Sequence, residues 1–245
     1  MRNQSKQSSR LSGFTLVEAM VAATVTSLVL GGTMATFMLG FKTMYKDNQR
    51  LATNATLRYF IAQVSKETLD ATEFYVFPDY KSLDGSVDLT NDVSVLQADT
   101  YGTYLAYGDC LVLVTRVSTS TTANVQQIRI YYRVTTDPAT IAPVRYYEGT
   151  DYGSSGSSTA LGTLLNAINL KTTPTISGSR VIVSNARGRT QSSPSTGVYP
   201  IFSTESSTTT PTNDSVSINV EVINGNSVNN LLSSSSFNYT ISPRK

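Results

Sequence analysis

Between Phe14 and Phe41 the chain carries a single charged residue, Glu18. A helix rises 1.5 Å per residue, so about 20 apolar residues cross a bilayer. The run is long enough to do so. Arg2, Lys6 and Arg10 precede it without any acid, and a basic flank of this kind stays cytoplasmic while the remainder lies outside. A conventional secretory signal places its apolar region before the cleavage site. Here the small residue Gly13 comes first and the apolar run follows. Glu18 is the anomaly, because a carboxylate in hydrocarbon costs roughly 2.5–3.5 kcal/mol by insertion scales. Something must offset that cost.

The helical pattern continues past Phe41. No proline occurs from Lys42 to Phe77, and Leu57, Phe60, Ile61, Val64 and Ala71 make one apolar stripe at helical spacing. Pro78 ends the pattern. The spacing predicts one helix over about 14–76, roughly 90 Å long. Its first half, 14–41, is apolar all round. Its second half, 42–77, is amphipathic, with a face to pack on a globular domain. Gly31-Gly32 is a place for bending.

Composition narrows the chemistry. The 245 residues carry a formal charge of +2; without residues 1–13, Lys+Arg falls from 19 to 16 against 17 acids, a balance of −1. That argues against nucleic-acid binding, which needs a basic face. There is no histidine, so the commonest general base and metal ligand is missing. The single cysteine, Cys110, forbids an internal disulfide, and in an apolar strand it reads as an inert small hydrophobe. No phosphate-binding loop occurs, since "GSSGSS" lacks the lysine and the strand–helix context. No enzyme, cofactor or metal is expected. Asp79, Asp84, Asp88 and Asp92 fit no cation-loop spacing and read as a solvated turn region within a mixed connector, 79–110.

The stretch "GFTLVEAMVAATVTSLVLGGTMATFML" resembles the amino terminus of type IV pilins and type II secretion pseudopilins. The resemblance implies a leader, 1–13, removed by a prepilin peptidase between Gly13 and Phe14, and N-methylation of Phe14. It makes Glu18 the fifth mature residue. Glu18 and the Phe14 amine would then serve filament assembly, the carboxylate of one subunit neutralising the amino terminus of its neighbour. The implied partners are other pilin or pseudopilin subunits, the peptidase and inner-membrane lipid. The implied location is the inner membrane, as a single-pass protein, then an extracytoplasmic filament.

The rest, 78–245, reads as an extracytoplasmic β-rich domain. "DCLVLVTRV" (109–117), "QQIRIYYRVT" (126–135) and "PVRYYEG" (143–149) predict an antiparallel meander. Ile128, Ile130, Tyr132 and Val134 face the helix stripe in this reading. Arg129, Arg133 and Arg145, with Tyr131, Tyr146 and Tyr147, form the solvated face. The succession is loosely similar to J-type minor pseudopilins and minor pilins. Residues 161–170 predict a short helix. Segments 179–186, 198–202, 215–223 and 236–241 predict strands, in one sheet with the first group or in a second. Loops take 150–160, 187–197, with Arg187 and Arg189 solvated, and 203–214. The fold class is α+β, pilin-like: a long amino-terminal helix packed on an antiparallel sheet.

Many major pilins kink the apolar helix with a proline, and many close a carboxy-terminal loop with a disulfide. Both are missing here, which favours a minor over a major subunit. The rival from another class is a signal-anchored extracytoplasmic binding protein that keeps its leader.

Overall fold

A computed structural model describes residues 15–83, 96–98, 104–118, 122–149, 151–191, 197–206, 215–224 and 233–241. Two compact units divide the chain, Met1–Asn48 and Gln49–Lys245. The long helix is present: α1 runs unbroken over Leu16–Asp70, straight through Gly31-Gly32. Among the described residues twelve strands follow, so the α+β architecture with an antiparallel sheet is as expected.

The helix ends earlier than about 76. Residues 73–77, expected as its last turns, form strand β1 (Glu73–Phe77). "EFYVF" is aromatic and β-branched, which suits a pleated, buried surface better than a helix. It is also anchored at once. Thr72 gives both its N–H and its hydroxyl to the Val114 carbonyl, at 2.9 and 3.0 Å. Ladder pairing therefore outweighs continued helix well before Pro78.

The remaining strands are β2 (Leu96–Ala98), β3 (Tyr104–Gly108), β4 (Cys110–Arg116), β5 (Val125–Arg133), β6 (Ala142–Glu148), β7 (Arg180–Gly188), β8 (Thr190–Gln191), β9 (Gly197–Val198), β10 (Phe202–Ser206), β11 (Val216–Asn224) and β12 (Ser233–Ile241). A short helix, α2 (Leu161–Ile168), lies between β6 and β7. Among the described residues, ten strands form one sheet in the order β1-β4-β5-β6-β7-β11-β10-β3-β2, with β12 added to β11. Both strand groups therefore share one sheet, joined where β6 pairs β7. β8 and β9 stand apart as a two-stranded ribbon. The connector 79–110 contains β2 and β3, and the loops at 187–197 and 203–214 give residues to β7, β8, β9 and β10.

The sheet is buried on both faces. One face takes Leu57, Phe60, Ile61 and Val64 of α1 against Leu111, Leu113, Tyr131, Val144 and Tyr146. The other takes Leu161, Leu164 and Leu165 of α2, with Tyr80 and Leu83, against Cys110, Val112, Ile128, Ile130 and Tyr132. This reverses the expected facing of β5. Tyr131, expected in solvent, meets the helix stripe, with its ring 6.1 Å from that of Phe60 and edge-on to it. Its hydroxyl donates to Glu67 Oε2 at 2.6 Å. Ile128, Ile130 and Tyr132 lie under α2 instead. With both sides of β5 covered, its alternation does not mark which side meets α1.

Candidate functional site

The candidate site is the amino-terminal unit, described from Thr15 onward. Thr15 precedes the first helical residue and Glu18 lies three positions later. The Thr15 N–H donates to Glu18 Oε2 at 3.0 Å, and the Thr15 hydroxyl donates to the same oxygen at 2.9 Å. In return the Glu18 N–H donates to Thr15 Oγ1 at 3.3 Å. This reciprocal pair is a capping box, which satisfies helix-end N–H groups that would otherwise lack partners. The carboxylate also sits at the positive end of the helix dipole. The cost that Glu18 would carry in hydrocarbon is thus partly offset within its own first turn. The sequence signal for it is Thr-x-x-Glu before an apolar run, which the expectation for Glu18 alone does not use.

From Ala19 to Phe41 the helix is apolar on every side and exposed on every side. Leu16, Leu28, Phe37 and Phe41 are 76, 77, 68 and 61 % exposed. A window of 18 residues has mean hydropathy 1.6 and none of it is buried within the chain. A helix hydrophobic all round needs a membrane or other helices to cover it. The hydroxyls in this run are already committed. Thr24, Thr26, Ser27, Thr33, Thr36 and Thr43 each donate to a carbonyl three or four residues earlier, at 2.7–3.1 Å. None of these side chains needs water, which is the condition for lying in hydrocarbon. A Cβ added at Gly31, Gly32 or Gly40 would meet nothing within 4 Å, so no packing within the chain requires these glycines.

Gly13 and Phe14 lie outside the described residues, as do Asp84, Asp88 and Asp92. Asp79 caps a 3-10 turn at Tyr80–Ser82 by accepting the Lys81 and Ser82 N–H groups, both at 2.9 Å.

The arginines expected on a solvated sheet face are dispersed rather than gathered. Arg129 pairs with Glu148 at 3.6 Å. Arg145 donates to Ser179. Arg133 is fully buried, a correction explained by Asp109, whose carboxylate it grips. Arg187, expected to be solvated, pairs with Glu221 at 2.8 Å. Cys110 is fully buried, and burial pushes its thiol well above its ordinary range, so it carries no thiolate chemistry. Among the described residues no group of three or more His, Cys, Asp or Glu side chains could hold a metal.

Residues 9–34 match the model of the prokaryotic N-terminal methylation motif. The match places a prepilin-type signal over Arg10, Thr15, Glu18 and most of the apolar run. It fits a membrane-anchored, single-pass, pilin-like chain. No curated protein matches the chain, and no solved structure does.

Proposed function

We propose that this chain is a structural subunit, of minor stoichiometry, in a type IV pilus or type II secretion pseudopilus. The prepilin-type motif at 9–34, continuous with a helix that is apolar and uncovered on every side, carries this reading. In it, the leader 1–13 is removed between Gly13 and Phe14, the new Phe14 amine is methylated, and 14–41 passes from the inner membrane into a helical filament core. The remainder of the chain is extracytoplasmic. The exposed glycines fit this role, because small residues let neighbouring helices approach closely. The minor assignment is favoured by the lack of proline in α1 and by the single cysteine.

Glu18 is the assembly residue. Near its own first turn it shares one oxygen with both Thr15 donors, which leaves Oε1 for a neighbour's amine. Two unlike charges in a low dielectric relieve each other's desolvation.

Mass spectrometry of filaments sheared from the native cells tests the proposal. A methylated Phe14 peptide at trace stoichiometry is expected. The same peptide as the dominant species makes this the shaft subunit. Absence from filaments, with residues 1–13 intact in the membrane fraction, makes it an anchored protein instead.

A further inference from the structure

Among the described residues the outer edge of β12 carries no partner strand. Nine residues of β12 pair with β11 in unbroken register, from Val216↔Ile241 to Asn224↔Ser233. Among the described residues no strand pairs with its other side. Proteins usually blunt such an edge with charge, proline, a bulge or short length. The other path ends show this: β2 has three residues, and β1 has five, bears Glu73 and runs into Pro78. The β12 sequence, SSSSFNYTI, has no charge and no proline, and its register has no shift.

The main-chain direction can be assigned. The Asn219 N–H donates to the Ile201 carbonyl, on the β10 side of β11. Alternate residues point their main-chain groups to opposite sides, so Ile218 and Val220 face β12. Their partners there are Tyr239 and Phe237. Ser236, Asn238 and Thr240 therefore direct N–H and C=O outward. The Ser217 and Thr240 hydroxyl oxygens lie 2.7 Å apart, as suits the close side chains of a non-hydrogen-bonded pair. Ser236, Asn238 and Thr240 are all exposed.

From this geometry we infer that the outer edge of β12 is a strand-addition site whose occupant is β12 of a second copy of this chain. A backbone edge accepts any extended strand, so charge and proximity select the partner. The antiparallel register that uses all nine residues centres on Phe237 and sets Ser236 opposite Asn238 and Ser234 opposite Thr240. No like charges meet across it. The anchored α1 holds copies in one bilayer with one orientation, which raises their effective concentration. Pairing of this kind needs that anchor but no filament, so it can fail while the filament reading stands, and the reverse.

The test is oxidative cross-linking between two differently tagged full-length copies in their own membranes, one carrying Ser236→Cys and the other Asn238→Cys. Buried Cys110 contributes no background. The expected mixed disulfide is about tenfold above that of Ser236→Cys paired with Arg58→Cys, an exposed α1 position, because pairing concentrates the thiols. Adding Thr240→Pro removes one outward N–H without touching the β11 ladder, and should return the signal to that control. A signal no higher than the control overturns the inference. So does a signal that Thr240→Pro leaves unchanged, since the copies would then be near each other without a shared ladder.

Discussion

Asp109 and Arg133 close a bidentate ion pair inside the sheet, with Nη2–Oδ2 at 2.6 Å and Nε–Oδ1 at 3.1 Å. Both side chains are sealed from water. Asp109 sits where one run of chain, 104–116, changes partners. Below it β3 pairs β2 and β10; above it β4 pairs β1 and β5. Its carboxylate also accepts the Ile201 N–H at 3.0 Å, and its carbonyl accepts the Arg133 N–H at 2.9 Å. Arg133 spends its remaining donors on the carbonyls of Asp137, Pro138 and Thr140. One pair thereby stitches the two halves of the sheet at the point where the ladder is interrupted.

Asp109→Ala strands a buried guanidinium and should cost about 3–5 kcal/mol. Urea unfolding of the full chain in detergent measures this. Arg133→Met in the same chain should cost less than the sum of the single changes, because the orphaned charge is gone. Full additivity would mean that the two groups act independently.

Gly108 abuts the Phe77 carbonyl so closely that a Cβ there would fall 1.9 Å from the oxygen. The obstacle is backbone, so it cannot swing aside. Gly108→Ala should therefore lower thermal stability, at about 1–3 kcal/mol for an overpacked site. Gly31→Ala meets no atom and should raise helix stability by about 0.8–1.0 kcal/mol in the isolated chain. If Gly31 serves close helix approach, the same change lowers filament incorporation, which immunoblots of sheared filaments would read.

The Thr15–Glu18 capping box separates two roles of the acid. Glu18→Gln keeps a capping residue but removes the charge, whereas Thr15→Ala keeps the charge and removes its local donor. Thr15→Ala should cost about 0.5–2 kcal/mol of helix-end stability, visible as faster amide exchange at Glu18. Glu18→Gln should leave that exchange nearly unchanged and still lower filament incorporation sharply. Normal incorporation of Glu18→Gln would rule out charge pairing.

Tyrosine burial predicts a steep alkaline limit. Desolvation, with Glu73 beside it, pushes the Tyr75 phenol up to about 12, and burial also raises Tyr131, Tyr132 and Tyr146. An unfolded tyrosine ionises near 10. A folded value above the unfolded one means the native state holds its proton longer. The stabilisation is whole below pH of about 10 and is lost as pH rises toward the folded value. Stability should fall from about pH 10 to 12, and Tyr75→Phe should flatten that slope in a denaturant series.

Much of this was legible in the sequence. The apolar run gave α1, the alternation at 126–135 and 215–223 gave β5 and β11, and the stripe from Leu57 to Val64 gave the helix–sheet contact. What stayed hidden depends on neighbours distant in sequence. Which side of β5 meets α1 is set by α2, which covers Ile128 and Ile130 from the other face. Arg133 reads as a surface arginine until Asp109, 24 residues earlier, is known to oppose it. The helix end was misplaced because "EFYVF" satisfies a helical pattern locally, while its strand state depends on pairing with Val114 and its neighbours. Of the candidate site, the acid stands out as the lone charge in an apolar run, whereas Thr15, its local partner, is one of many hydroxyl residues there.

The committed hydroxyls of α1 bear on how the helix is oriented about its own axis. With Thr24, Thr26, Ser27, Thr33 and Thr36 all turned back onto the helix's own carbonyls, the run from Ala19 to Phe41 has no donor side chain that prefers one azimuth in lipid over another. Rolling about the long axis then changes little in free energy while the helix is surrounded by acyl chains. Glu18 is the lone directional mark, at one end. In the proposed filament the face presented to a neighbouring helix would therefore be chosen by that neighbour at contact, and the acid would be the index notch that fixes the final rotation.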